Sequence, residues 1–206
     1  MAAHNDASES MLLLRLSMSG IVSVLLLTVA TTVNANRTPQ PKPTADPGKS
    51  TPEMLTESRP MEQYALGYSY EKGLYRELDY VKAAYWYRQA ASQGFARAQY
   101  RLALLYMLGR LDVRDAAQAE QLFRSAAMQG YSPAQFDLAA YHMGLNPEQQ
   151  KDLAESYAWF SIVADNGGAD AADARQFLGH LASQLSSQEL VRARQLQAGY
   201  VKQISH

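Results

Sequence analysis

Beyond residue 61, apolar side chains recur along the chain at intervals of three and four residues. Leu102 and Leu105 mark one face of a helix over residues 96–108, and Ala119 and Phe123 mark one face of a second helix over residues 115–129. This spacing is typical of amphipathic α-helices. The small residues let the two helices approach each other, so the pattern predicts a pair of antiparallel helices.

The same pattern occurs three times. A Gln followed by an aromatic residue recurs every 36 residues, and later positions keep the same order with one extra residue in the third unit. The matching sets are Gln63-Tyr64, Gln99-Tyr100 and Gln135-Phe136; Asp79, Asp115 and Asp152; and Gly94, Gly130 and Gly167. Each Asp suits the start of a second helix, and each Gly suits its left-handed end. We therefore expect three stacked helix pairs, which together form an all-α solenoid.

After residue 169 the repeat stops, but two more helices are predicted. Phe177 and Leu181 lie on one amphipathic face, and Ser186 with Glu189 forms a capping box that opens the last helix. A solenoid leaves its last apolar face open. We expect residues 169–206 to cap it.

The second unit carries the most complete motif. It reads Ala98-Gln99-Tyr100-x-Leu102-Ala103-x-x-Tyr106-x-x-Gly109, then Asp115-x-x-x-Ala119-x-x-Leu122-x-x-x-Ala126-Ala127-x-x-Gly130. This run resembles the Sel-1-like repeat, and the first unit matches it closely in its second helix. The resemblance implies a tetratricopeptide-like α-solenoid with units at 61–94, 96–130 and 133–168. It also implies a non-catalytic adaptor of the exported bacterial type, acting in envelope assembly, periplasmic regulation or host contact.

The resemblance also suggests a binding face. In such units the first helix lines an inner groove with side chains that point away from the second helix. In this chain that register holds Tyr64, Tyr68, Arg97, Tyr100, Leu104, Met107 and Phe136. The aromatic residue after each Gln either forms a ladder across the groove or packs between neighbouring helices.

The third unit departs from the motif. Its first helix is one residue short before Gly144, which puts Tyr141 or His142 at the position of the repeat's tyrosine. We interpret His142 as a half-buried replacement for that tyrosine rather than as a metal ligand.

The first 60 residues have a different composition. Arg15 precedes an uncharged apolar run over residues 16–33, and Val33 with Ala35 fits a peptidase cleavage site. Residues 1–35 thus read as a signal peptide, with an uncleaved membrane anchor as the alternative; translation starts at Met1, Met11 or Met18. Residues 36–60 are rich in Pro and predict a flexible linker. We expect a periplasmic or secreted protein, or one that is anchored facing the periplasm.

The composition excludes several kinds of functional site. The 206 residues carry a formal charge of −1, no Cys and four His, which excludes disulfides and thiolate metal sites and leaves little for a metal cage. Ser69 and Lys72 match the S-x-x-K motif of penicillin-recognising enzymes, but the S-D-N and K-T-G elements are missing. We expect no enzyme activity, cofactor, metal site or nucleic-acid partner. The expected partner is a protein. The alternative is an envelope polysaccharide, whose sugar rings stack on the tyrosines of a glycan-binding or enzyme-accessory module.

Overall fold

The computed structural model describes residues 59–74, 77–111, 114–144 and 151–205. The predicted signal peptide, and the predicted linker except for its last two residues, lie outside these ranges. The described residues form helices α1 Pro60–Lys72, α2 Tyr80–Ser92, α3 Ala96–Met107, α4 Ala116–Met128, α5 Ser132–His142, α6 Leu153–Asn166, α7 Ala171–Ala182 and α8 Ser187–Ile204. No strand occurs within them.

Each helix from α1 to α6 packs against the next one along the chain. The helices therefore form three pairs, α1–α2, α3–α4 and α5–α6, followed by two further helices. This arrangement confirms the predicted all-α solenoid. We call the first helix of each pair helix A and the second helix B.

The predicted caps of the B helices are confirmed. A side-chain oxygen of Asp79, Asp115 or Asp152 accepts the amide N–H three residues later, at 2.9, 2.9 and 3.0 Å. This bond satisfies one of the N–H groups that the first turn of a helix leaves without a partner. Two of the glycines that end the B helices, Gly94 and Gly130, have φ of 82° and 77°. Residues with a Cβ rarely adopt this region.

Alanine and one large ring fill each helix pair. The rings of Tyr87, Phe123 and Phe160, at equivalent positions of the three B helices, are at most 1% exposed. Helix α1 approaches Tyr87 so closely that a Cβ added at Gly67 would lie 2.7 Å from its ring. The small residues thus set the distance between helices A and B.

Glutamine side chains join the ends of the pairs. Gln93 donates to Oε1 of Gln63 at 2.7 Å, and Gln129 donates to Oε1 of Gln99 at the same distance. The third repeat has Asn166 at the position of Gln93 and Gln129. Among the described residues, Oε1 of Gln135 is buried and has no hydrogen-bond partner. The Asn166 side chain is one methylene group shorter than that of Gln93 or Gln129.

The last two helices do not form a fourth regular pair. Helix α7 packs on α6 as a further helix A would, but α8 packs along α6 and reaches α4. As a result, α8 buries a face of α6, whereas the corresponding faces of α2 and α4 are exposed. No helix of the described ranges is both long enough and apolar enough to span a membrane.

Candidate partner-binding face

The aromatic residue after each Gln packs inside the solenoid. Each ring contacts the ring of its own helix B and a ring that follows that helix B. Tyr64 lies 5.7 Å from Tyr87 and 5.4 Å from Phe95, Tyr100 lies 5.8 Å from Phe123 and 5.3 Å from Tyr131, and Phe136 lies 5.1 Å from Phe160 and 5.9 Å from Phe177, measured between ring centroids. Of the two interpretations of these rings, packing between helices is the one that the structure supports.

Three of the residues predicted to line the binding face are buried instead. Tyr100, Leu104 and Phe136 are 6%, 5% and 5% exposed. The hydroxyl of Tyr100 donates to Asp137 at 2.9 Å in a buried contact. Because the rings wedge neighbouring repeats together and Leu104 is enclosed with them in the core, these side chains offer a partner almost no surface.

Tyr64 and Tyr68 remain half-buried and accessible, and they meet a charged group. Their rings stack at 6.2 Å with an interplanar angle of 25°. The guanidinium of Arg101 lies 5.2 Å from the centroid of the Tyr68 ring, and the ammonium of Lys72 lies 5.8 Å from it. With Glu71, which bonds to both cations, these residues of α1 and α3 form what we call the Tyr68 cluster.

Glu71 holds the Tyr68 cluster together. One carboxylate oxygen lies 3.1 Å from Nη1 of Arg101 and 3.0 Å from Nζ of Lys72, and the other accepts the Tyr87 hydroxyl at 2.6 Å. Burial of the guanidinium opposes its charged form, but the Glu71 carboxylate, together with Tyr87 and Tyr64, outweighs this effect and raises the pKa of Arg101. Burial, reinforced by Glu71, raises the pKa of Tyr87. The cluster is thus a fixed array of charges and rings on the helix-A side.

The two remaining predicted residues lie on the same helix as Arg101. Arg97 is exposed in the first turn of α3, and Met107 is half-buried at its last residue. Arg97 lies four residues before Arg101, about one helical turn, and therefore on the same face of α3. The structure therefore brings Tyr64, Tyr68 and Arg97 to one surface with Arg101, while Met107 lies at the far end of α3.

The predicted binding face did not include Glu71 or Arg101. The repeat register does not reveal them, because Arg101 occupies the position held by Ala65 in the first repeat and by Asp137 in the third. A charge that changes from repeat to repeat at one register position is the signal that could have pointed to a site.

The structure also shows a polar network on the opposite side. Arg124 of α4 donates to Glu120 at 2.9 Å and to Glu155 of α6 at 2.6 Å, and Tyr200 of α8 donates to the same Glu155 oxygen at 2.8 Å. The Tyr200 ring stacks on Trp159 at 4.4 Å. This network ties α8 to α4 and α6.

His142 belongs to this network. It is 6% exposed, and its Nε2 lies 3.2 Å from Nη2 of Arg124. Because a guanidinium can only donate, Nε2 accepts and the ring is neutral. Burial lowers the pKa of His142. Within the described residues, no group of three or more His, Asp and Glu side chains is arranged to hold a metal ion.

Comparison with known proteins places this architecture in a family. The model of the Sel1 repeat matches residues 63–95, 96–131 and 132–168. A search of curated proteins gave no match. Among solved structures, a Sel1 repeat protein from Oxalobacter formigenes is 27% identical with a TM-score of 0.51, over 72% of this chain and 66% of that one.

A second solved structure is a protective antigen present in uropathogenic Escherichia coli strains, which displays an SLR fold. It is 22% identical with a TM-score of 0.39, over 71% of this chain and 46% of that one. This chain thus spans less than two thirds of each solved structure. The three repeat matches cover more than half of this chain and coincide with its three helix pairs. The chain belongs to the Sel1 repeat family.

Proposed function

We propose that this protein is a non-catalytic adaptor of the bacterial cell envelope that binds a protein partner on the helix-A side of its first two repeats. The observation that carries the proposal is the Tyr68 cluster, with exposed Arg97 on the same surface. Sel1 repeat proteins are generally scaffolds for protein–protein interaction and are typically non-catalytic.

The chemistry of the surface fits a protein partner. Tyr and Arg are enriched among the residues that dominate protein–protein binding energy, since each combines a large contact area with hydrogen bonding. Tyr68 and Arg101 are already held in place by Tyr64 and Glu71, so binding orders them little further. Arg97 has no ion-pair partner among the described residues and offers its charge to an acidic group of the partner.

The same geometry disfavours a glycan-binding role. A sugar ring stacks on an open aromatic face, but the Tyr68 ring already has Tyr64, Arg101 and Lys72 as neighbours. Tyr100 is buried and offers no platform. A protein therefore fits this surface better than a polysaccharide does.

The envelope location rests on the sequence of residues 1–35. The apolar run, its preceding Arg15 and the Val33-x-Ala35 site support export with cleavage near Asn36. A fusion of residues 1–60 to a reporter that is active only outside the cytoplasm tests this. We expect an active fusion and a mature protein that begins near residue 36. An inactive fusion with a full-length cytoplasmic product contradicts the proposed location.

The partner class is tested by two parallel assays. We expect the purified chain, after cross-linking, to capture a protein from an envelope extract, and we expect it to stay in the supernatant when purified peptidoglycan or exopolysaccharide is sedimented. Sedimentation with either glycan, without capture of a protein, would establish the glycan-binding alternative.

A further inference from the structure

Helix α2 carries an exposed apolar row on its outer side. Leu78, just before the helix, is 55% exposed, Val81 is 63% exposed and Tyr85 is 44% exposed. The spacing of three and four residues puts them in one line, and Arg88 continues the line three residues later. We call Leu78, Val81, Tyr85 and Arg88 the α2 row.

The other two repeats show what the α2 row is suited for. In the third repeat the positions of Val81 and Tyr85 hold Ala154 and Ala158, which are 2% and 0% exposed because α8 covers α6. In the second repeat they hold Ala117 and Gln121, which are exposed and present no large apolar side chain. The same face of helix B is thus covered by a helix in the third repeat, and in the second repeat it meets solvent without a large apolar side chain.

The α2 row ends in opposite charges. Glu77 precedes the first apolar residue and is exposed, and Arg88 follows the last one and is exposed. Neither forms an ion pair with another residue of the described ranges; Arg88 donates to the hydroxyl of Tyr106 at 3.0 Å. A second α2 laid antiparallel on the row would place each Glu77 opposite Arg88 of the other copy and each Val81 opposite Tyr85.

We propose that the α2 row is the contact surface of a homodimer, in which α2 of one copy packs antiparallel on α2 of the other across a two-fold axis. A two-fold contact of this kind pairs the same surface on both copies and closes on itself. It removes the three large apolar side chains from water and satisfies both unpaired charges, while the Tyr68 cluster on the helix-A side remains free.

Sedimentation velocity of the mature chain, which begins near residue 36, over a range of concentrations tests the proposal. We expect a reversible monomer–dimer equilibrium and expect Val81→Glu to weaken dimerisation by about tenfold or more, which corresponds to about 1.4 kcal/mol. The matched control is Ala117→Glu, because Ala117 is the second residue of α4 as Val81 is of α2. The control should leave the dimer unchanged, and circular dichroism should show both variants folded.

The charges test the antiparallel orientation. Glu77→Arg and Arg88→Glu should each weaken the dimer, and the two changes combined in one chain should restore it. A chain that stays monomeric at every concentration overturns the proposal and leaves the row to a different partner. A dimer that resists Val81→Glu overturns it as well, and so does a double variant that is weaker than both single variants.

Discussion

At the scale of single residues, the three repeats act as controls for one another. Gln63 and Gln99 each accept a hydrogen bond from a Gln at the end of helix B, whereas Gln135 has Asn166 at that place. Leaving a buried acceptor without a partner costs about 1–3 kcal/mol. The third repeat therefore carries a local defect at the position where its side chain is one methylene group shorter.

We expect Asn166→Gln to stabilise the protein by about 1 kcal/mol, because its amide can then donate to Oε1 of Gln135. The matched change, Gln129→Asn, should destabilise by a similar amount, since it orphans Oε1 of Gln99. Urea unfolding of both variants measures the two effects. An Asn166→Gln variant no more stable than wild type would show that the length of this side chain does not explain the orphaned oxygen.

Asp137 is a second buried residue of the third repeat, and its ionisation lowers the stability of the protein. Burial, together with Asp170 and against the hydrogen bond from Tyr100, raises its pKa from 3.8 to about 7. Between these values the folded state keeps a proton that the unfolded state has lost. Stability should then fall as pH rises from about 4 to 7, by about 1.4 kcal/mol per pH unit, and stay at the lower level above pH 7.

Asp137→Asn removes this titration and can still accept the Tyr100 hydroxyl. We expect the variant to be more stable than wild type at pH 8, with the difference shrinking as pH falls toward 4. Urea unfolding at several pH values gives the comparison. If the stabilities of the two proteins change in parallel with pH, Asp137 is ionised in the folded protein at every pH measured.

At the scale of the elements, α8 lies on the outer side of the solenoid and is stabilised there by contacts with α4 and α6. Tyr200 stacks on Trp159 and donates to Glu155, which also accepts from Arg124. Arg192 forms two bonds with Asp152, at 3.0 and 2.6 Å, and so ties α8 to the start of α6. The last helix thus closes the solenoid by reaching back over it.

Tyr200→Ala should destabilise the protein by about 2–3 kcal/mol, because it removes a large stacked ring and leaves Glu155 with one donor fewer. Tyr200→Phe keeps the ring and should cost only about 1 kcal/mol. Thermal unfolding separates the two contributions. If both variants melt like wild type, α8 is not held by this contact.

The sequence predicted the helix pairs and their caps because these depend on local spacing and on residues such as Asp115 and Gly130. It did not predict that α8 packs on α6 rather than on α7, because a capping box at Ser186 starts a helix without directing it. It also left open whether Tyr100 and Phe136 lie on a surface. Their register is the same in both cases, and only the packing of the next repeat decides their exposure.

At the scale of the whole molecule, the two sides of the solenoid differ in chemistry. The helix-A side of the first two repeats holds the Tyr68 cluster and Arg97, and the outer side holds the α2 row and α8. The third repeat contributes little to the helix-A side, because residues 134–140 of α5 are buried. Partner binding and dimerisation can then be altered separately by substitution.

The most direct test of the account is quantitative partner capture by the double variant Tyr68→Ala/Arg97→Ala beside wild type. The control is Ala172→Ser/Gln176→Ala, which changes two exposed residues of α7. We expect the first variant to lose capture while circular dichroism shows it folded, with its free energy of unfolding lowered by about 1–3 kcal/mol because the half-buried Tyr68 ring is lost, and we expect the control to retain capture. A double variant that folds normally and captures the partner as wild type does would contradict the proposed binding face.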